Sequence, residues 1–217
     1  DADALIAAGV VFVNAKRAVM GQKVEESDQV EVVRGKHKPR EYAYVAFNKP
    51  AGVITHSPQK GEEDIVSTLP REYQGLGLFP LGRLDKDSHG LILLTNDGRV
   101  TERLLSPEAA HEKEYLVKTK LPLRSSFKKH METGVDIEGY QTKPAQVRIT
   151  GEKSFNIVLT EGKKHQIRRM VVAMHNEVLD LKRTRVMNIK LGSLKPGEVR
   201  RIEGRELSLF LEALSQA

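Results

Sequence analysis

The first candidate for chemistry is Asp85, an acidic residue in a charged turn between two apolar segments. Leu84 precedes the turn and the apolar run 91–94 follows it, so we expect both flanks to be anchored in a hydrophobic core. Functional residues are often carried on loops that a rigid scaffold holds in place. A carboxylate in such a loop is suited to nucleophilic or general base catalysis.

Two other interpretations of this turn compete with catalysis. Asp85 or Asp87 could accept backbone N–H groups and stabilise a purely structural turn. Asp85, Asp87 and Gly90 also resemble part of a calcium-binding loop. The twelfth position of such a loop needs a bidentate Glu and is Asn96 here, while apolar residues fill the later ligand positions. That excludes the calcium loop, and the structural turn stays open.

The second candidate segment is EGKKHQIRRM at residues 161–170, which begins as a loop and enters a helix at about His165. The free N–H groups at a helix start suit a bound anion. Arg168 and Arg169 oppose the usual charge preference of a first helical turn, and a carboxylate or phosphate would neutralise them there. A solvated basic helix start is the alternative.

The composition argues against metal and thiol chemistry. The chain has no Cys, so it can form no disulfide, thiolate metal site or Cys nucleophile. Its seven His residues show neither HxxxH nor HxH spacing, so we expect no zinc site and interpret His165 as a hydrogen-bonding residue.

Tyr115 belongs to KEYLV (113–117), one of several segments with the alternation or β-branched content of strands. A Tyr in a strand usually packs on the sheet, and a functional one could stack on a base. Strands are predicted at residues 10–13, 29–33, 44–47, 114–118, 146–150 and 155–160, and helix faces at 167–174 and 207–214. Because strands outnumber helices without βαβ alternation, the sequence predicts an α+β fold with a mostly antiparallel mixed sheet.

The net charge of +6 is unevenly distributed. Residues 1–33 carry three basic and six acidic residues, whereas residues 34–40 (RGKHKPR) carry four basic residues and no acidic one. The basic run predicts a linker that is either a solvated loop or a contact for nucleic acid. Residues 161–190 form a second basic zone, with eight basic and three acidic residues. No apolar run is long enough to span a membrane and no signal peptide is evident, so we expect a cytoplasmic protein.

Several motifs together carry a family resemblance. The chain contains, in this order, FNKPAGV (47–53), GRLDKDSHGLILLTNDG (82–98), KEYLV (113–117), KPAQV (143–147), EGKKHQIRRM (161–170) and LKRTRVMNIKLGSLKPGEVR (181–200). Over essentially its whole length it resembles the bacterial RsuA/RluB/RluE/RluF group of ribosomal-RNA pseudouridine synthases. LDKDS and RTRVMN are most similar to the RluF type, whereas EGKKHQ is closer to RsuA.

The resemblance implies a division of the chain into two modules. Residues 1–33 would be the back half of an S4-like RNA-binding domain, with the front half expected before Asp1. Residues 34–40 would be the basic linker, and residues 41–217 the catalytic domain with the pseudouridine synthase fold.

The resemblance also implies a reaction. A uridine leaves its stack, its N-glycosidic bond breaks, and the base is rejoined to the ribose through carbon. Asp85 matches the family's catalytic aspartate, Arg168 the arginine that pairs with it, and Tyr115 the tyrosine that stacks on the uracil. Asp85 would add to the anomeric carbon, attack C6 of uracil or remove a ribose proton, and the sequence does not choose among these routes. No cofactor or metal is implied, because an isomerisation involves no net redox change.

Five further residues are expected to contact the substrate or support its pocket. Ile167 matches an apolar residue on the other side of the base. Arg83 neighbours the nucleophile and would fill the space vacated by the base or contact phosphate. Lys49 would support the pocket, and His165 and Arg169 would bind substrate at the helix start.

The expected partner is ribosomal RNA, specifically that of the large subunit, bound by a monomer. The alternatives are a small-subunit or transfer RNA substrate, or a non-catalytic RNA-binding or ribosome-assembly protein of the same fold. A glycosidase would need a second carboxylate partner for Asp85, and no downstream acid-rich motif supplies one.

Overall fold

The structure is a computed structural model that describes residues 2–7, 9–32, 41–57, 59, 61–106 and 108–216. The chain divides into two units, Asp1–Glu41 and Tyr42–Ala217. The linker predicted at residues 34–40 lies outside the described residues.

The first unit is a short helix followed by a small antiparallel sheet. Its elements are α1 (Ala2–Ala7), β1 (Val11–Val13), β2 (Lys16–Arg17) and β3 (Val30–Val32). The strands lie in the order β2-β1-β3. Val11, Val13 and Ala18 are buried together in a core of their own, with Ile6 packed against it. The S4-like assignment of this unit stays a prediction.

The second unit contains one large sheet and six α-helices among the described residues. Its elements are β4 (Tyr44–Lys49), α2 (Ile65–Thr68), α3 (Arg71–Gln74), β5 (Phe79–Leu81), β6 (His89–Thr95), α4 (Thr101–Leu105), β7 (Lys113–Thr119), α5 (Phe127–Thr133), β8 (Gln146–Gly151), β9 (Ser154–Leu159), α6 (Gln166–Ala173), β10 (Val178–Val186), β11 (Ile189–Lys190), β12 (Val199–Arg201) and α7 (Gly204–Ser215). In the part of the chain that the structure describes, no helix combines the length and the hydropathy needed to cross a membrane.

The large sheet consists of two antiparallel halves joined by one parallel pairing. Its main strand order is β12-β4-β6-β10-β7-β9-β8, while β5 pairs with β6 and β11 with β10. All of these pairings are antiparallel except that between β6 and β10. The predicted α+β fold with a mostly antiparallel mixed sheet is therefore confirmed.

Both halves of the sheet are packed in hydrophobic cores, one of which contains Val186 of β10 and Ile189 of β11 beside residues of β4 and β6. The half formed by β7 to β10 packs under α5 and α6, with Phe155, Met131 and Met170 fully buried. The other half is covered by α4 and α7 on one face and by α2 on the other, with Phe210 and Ile65 fully buried. Burial of these apolar side chains fixes the two halves as rigid supports for the loops between them.

The junction between β6 and β10 depends on a glycine. Gly90 lies opposite Arg183 in the parallel register, with a backbone φ of 103°. A Cβ atom at this position would lie 2.3 Å from the Arg183 carbonyl oxygen. Only Gly permits this backbone conformation and this close approach.

We expect Gly90→Ala to destabilise the protein by about 3 kcal/mol or more, because the methyl group forces β6 away from β10 in a strained backbone conformation. Gly98→Ala is the matched control, since a Cβ there meets no atom within 4 Å. Urea unfolding of both variants measures the effect. Equal midpoints for the two variants would contradict this account of the junction.

Candidate active site

Asp85 lies in the loop between β5 and β6, next to the junction of the two sheet halves. The loop is a tight turn, in which the Ser88 N–H donates to the Asp85 carbonyl at 3.0 Å. Ser88 and Leu84 are buried on either side, while 37% of the Asp85 side chain is exposed. The carboxylate is therefore accessible from solvent on a backbone that is anchored on both flanks.

The segment that follows β4 is hydrogen-bonded to the loop that carries Asp85. The Thr55 hydroxyl donates to the Leu84 carbonyl at 2.7 Å and accepts from the Leu84 N–H at 3.0 Å. The Gly52 N–H donates to the Lys86 carbonyl at 2.8 Å. Three hydrogen bonds thus fix the backbone on both sides of Asp85.

Lys49, the last residue of β4, places a fully buried ammonium beneath the loop. It donates to the carbonyl oxygens of Pro50 at 2.8 Å, Val53 at 2.6 Å and Lys86 at 3.2 Å. Burial lowers the pKa of Lys49 to about 8, although the Asp85 and Asp87 carboxylates act in the opposite direction. Lys49 therefore supports the loop and places positive charge close to both carboxylates.

His165 is the side chain that reaches the Asp85 carboxylate from α6. Its Nε2 lies 3.7 Å from Asp85 Oδ1, and 48% of the His165 side chain is exposed. His165 precedes α6 in the left-handed conformation, with φ 52° and ψ 28°. Such a conformation is uncommon for a residue other than Gly and here directs the ring toward the loop.

Arg168 contacts the same loop at a different point from that implied by the family resemblance. Its guanidinium lies 3.5 Å from the Asp87 carbonyl oxygen, 3.4 Å from the Ser88 hydroxyl and 3.4 Å from the Val178 carbonyl oxygen. Within the described residues, the basic side chain within 4 Å of the Asp85 carboxylate is His165, which forms an ion pair only when it is protonated, and not Arg168. Arg168 thus connects α6, the loop and the start of β10.

Tyr115 and Ile167 lie on the other side of the junction. Tyr115 pairs with Arg183 of β10, and Arg183 in turn pairs with Gly90 at the start of β6. Tyr115 is partly buried and packs against the core that contains Ile167. Ile167 is only 4% exposed, so it belongs mainly to the support of the site. The contact of either residue with a base stays a prediction.

Two arginines predicted to contact substrate have different surroundings. Arg169 Nη2 donates to the Ile137 carbonyl at 2.7 Å and to the Glu138 carboxylate at 2.8 Å, whereas its Nε is buried without a hydrogen-bond partner. Arg83 is exposed at the start of the Asp85 loop. A contact between substrate and Arg83 is therefore sterically open, whereas Arg169 Nη2 is already engaged within the protein.

Sequence reasoning missed Arg183, which is 4% exposed. Its Nε donates to the Leu91 carbonyl at 2.6 Å and its Nη1 to the Arg83 carbonyl at 3.2 Å. The side chain thereby holds the start of β6 and the residue two before Asp85. In the sequence, Arg183 is one of eight basic residues in the zone 161–190, and nothing there distinguishes it from surface residues.

Glu161 is a second missed residue, and it holds the loop that enters α6. Its carboxylate accepts from the Tyr140 hydroxyl at 2.6 Å, the Lys143 N–H at 2.9 Å and the Gln166 amide at 2.6 Å. Burial acts to raise the pKa of Glu161, but these hydrogen bonds outweigh it and leave the pKa below its ordinary value. The hydrogen bonds fix the position from which His165 and Arg168 extend.

Among the described residues, no group of three or more His, Asp or Glu side chains is arranged to hold a metal ion.

Comparison with known proteins identifies the family. A model of the RNA pseudouridylate synthase family matches residues 43–173, which include Asp85, Tyr115 and Arg168. The dual-specificity RNA pseudouridine synthase RluF of Salmonella typhi is 39% identical over 210 residues, which are 95% of this chain and 72% of that protein. The chain belongs to the RNA pseudouridylate synthase family.

Other RNA pseudouridylate synthases support the assignment. The ribosomal large subunit pseudouridine synthase B of Bacillus subtilis is 34% identical over 218 residues, which are 95% of this chain and 87% of that protein. A crystal structure of a pseudouridylate synthase matches with a TM-score of 0.72 and 29% identity, over 98% of this chain and 92% of the other. The predicted family and its synthase fold are confirmed.

Because Lys49 loses its proton near pH 8, we expect the single-turnover rate of pseudouridine formation to fall as the pH rises through about 8. The ammonium then loses its charge and one of its three donors to the loop carbonyls. In Lys49→Met this change of rate near pH 8 should be absent and the rate should be lower throughout. The control is Lys86→Met, which removes an exposed ammonium paired with Glu62 at 2.8 Å and should keep the change near pH 8. A change near pH 8 that persists in Lys49→Met would contradict the assignment.

Proposed function

We propose that this synthase isomerises a specific uridine of ribosomal RNA to pseudouridine with Asp85 as the catalytic residue. The observation that carries the proposal is the placement of Asp85. The Asp85 carboxylate is accessible on a loop that Thr55 and Lys49, which follow or end a strand of one sheet half, hold by hydrogen bonds. It faces His165, which precedes α6 on the other half. A preorganised carboxylate needs little rearrangement before it reacts.

The reaction balances without an external reagent. The N1–C1′ bond of the uridine breaks, a C5–C1′ bond forms, and C5 loses a proton while N1 gains one. Asp85 assists by adding to C1′, by attacking C6 or by removing a ribose proton. Each route begins with an ionised carboxylate, and the Asp85 side chain is 37% exposed and lies near the buried Lys49 ammonium.

Arg168 and Tyr115 have distinct proposed roles. Arg168 is a positioning residue, because it touches the Asp87 carbonyl and the Ser88 hydroxyl of the loop. Tyr115 stacks on the flipped uracil and takes part in the later proton transfer, as the family resemblance implies.

The RNA substrate is proposed from the names of two relatives. One is a ribosomal large subunit synthase and the other a dual-specificity synthase. We therefore propose large-subunit ribosomal RNA as the substrate, acted on by a monomer in the cytoplasm. The dual-specificity relative makes a second RNA, such as a transfer RNA, the next candidate. Residues 1–33, as an S4-like module, would add contacts to the same RNA.

The test of function is incubation with unmodified ribosomal RNA followed by pseudouridine mapping. We expect wild-type protein to modify a defined uridine and Asp85→Asn to lose at least about a thousandfold in rate while it still binds RNA. Asp87→Asn is the matched control on the same turn and should keep most of the rate. Full activity of Asp85→Asn would exclude the mechanism, and RNA binding by the wild type without product would favour the non-catalytic alternative.

The positioning role of Arg168 is tested separately. Arg168→Ala should lower kcat by about a hundredfold with little change in KM, because misplacement of the loop by about 1 Å costs that much. Arg168→Lys should restore part of kcat, since an ammonium can still donate to one of the loop oxygens. A rise in KM with unchanged kcat would instead identify Arg168 as a phosphate contact.

A further inference from the structure

A third basic run lies outside the proposed mechanism. Residues 115–131 contain no acidic residue and six that are basic or imidazole-bearing: Lys118, Lys120, Arg124, Lys128, Lys129 and His130. The run covers the second half of β7, the loop that follows it and most of α5. Its charge has the sign that attracts a polyanion.

Part of this charge is neutralised and part is not. Three of the lysines lie near carboxylates: Lys120 at 2.8 Å from Glu177, Lys128 at 3.8 Å from Glu132 and Lys118 at 4.0 Å from Asp180. Within the residues that the structure describes, Arg124 and Lys129 have no carboxylate within 4 Å. The loop that carries Arg124 therefore retains a positive charge for a ligand.

A cavity of about 250 Å³ opens beside the same loop. That volume corresponds to about eight water molecules, which leaves room for one flat base. The wall combines a cation, two imidazoles and apolar groups, namely Arg124, His130, His175, Leu121, Phe127 and Met174. Apolar and imidazole surfaces next to a cation are the surroundings that an unstacked nucleotide needs.

The wall is held in place by hydrogen bonds and by the core. The Asn176 side chain accepts from the Leu121 N–H at 3.0 Å and donates to the Leu121 carbonyl at 2.9 Å. The Phe127 ring packs edge-on against Phe155, with ring centroids 4.9 Å apart. His130 Nδ1 donates to the Ser126 carbonyl at 2.9 Å, so the imidazole is oriented before any ligand arrives.

The cavity also lies close to the proposed active site. Arg168, which touches the Asp85 loop, is 3.4 Å from the Val178 carbonyl oxygen. Asn176 precedes Val178 by two residues, and two residues of extended chain span at most about 7 Å. Arg168 and the start of β10 thus connect the Asp85 loop with one wall of the cavity.

We propose that this cavity binds one unstacked base of the RNA substrate beside the target uridine, with Arg124 at its phosphate. The inference rests on the proposed function, because it takes the RNA to be bound over Asp85. It assigns a recognition role to the loop after β7, which none of the catalytic residues occupies.

The test uses the full chain and an RNA fragment centred on the uridine that the mapping identifies. Two further fragments carry an abasic site at the nucleotide before or after that uridine. Wild-type protein should bind one abasic fragment about tenfold more weakly than the intact one, since the contact of its base is lost. Equal affinity for all three fragments would overturn the inference.

Two variants locate the contact. Ser126→Leu adds a branched hydrocarbon at the cavity wall, where the described Ser126 side chain makes no capping hydrogen bond. It should bind the intact and abasic fragments with equal, weakened affinity. Arg124→Ala should lower the slope of log K against log salt by about one. Arg205→Ala, which removes an exposed cation from α7, is the matched control and should behave as wild type.

The outcomes separate this inference from the proposed function. Pseudouridine formation with wild-type affinity and salt slope in both Ser126→Leu and Arg124→Ala would overturn the cavity assignment and leave the function intact. If wild type forms no pseudouridine, the proposed function fails. In that case the affinities and salt slopes of the same variants for unmodified large-subunit ribosomal RNA test the cavity assignment by itself. Values equal to those of the wild type in both variants would overturn it.

Discussion

The parallel pairing of β6 with β10 is the constraint on which the rest of the structure depends. Each half of the sheet is built from antiparallel neighbours, so each satisfies most of its backbone hydrogen bonds without the other half. Only the junction brings the loop that carries Asp85 to Arg168 of α6 and to His165, which precedes that helix. The close backbone approach at Gly90 therefore decides whether the site exists.

The distribution of charge around Asp85 follows from the pairing of β6 with β10. The charged groups that support Asp85 are cations buried at the junction, chiefly the Lys49 ammonium and the Arg183 guanidinium. Backbone carbonyl oxygens accept most of the hydrogen bonds that these two cations donate, and they solvate a cation without neutralising its charge. The result is a positive interior beneath an accessible carboxylate. A positive interior of this kind suits a site whose substrate carries phosphates on every nucleotide.

Sequence reasoning succeeded where the signal is local. The alternation in KEYLV and the i, i+3, i+4 spacing of Ile167 predicted β7 and α6, because the period of a strand or a helix is written in consecutive residues. No strand was predicted over β10, because its charged residues hide the alternation. Arg183 donates to carbonyl groups up to 100 residues away, and Arg169 is engaged by Glu138, 31 residues away. Such partners are set by the fold and have no local pattern.

The junction also has a consequence for how the molecule folds. Arg183 and Leu91, which meet there, are 92 residues apart, and β12, which pairs with β4, follows β10 in the chain. Closing so long a loop is entropically costly and slow relative to local pairing. Neither the junction nor the half that contains β4 and β12 can be completed before β10 to β12 are present, and neither half contains the whole candidate site. The loop with Asp85 is therefore made long before the residues of β10 that hold it in place.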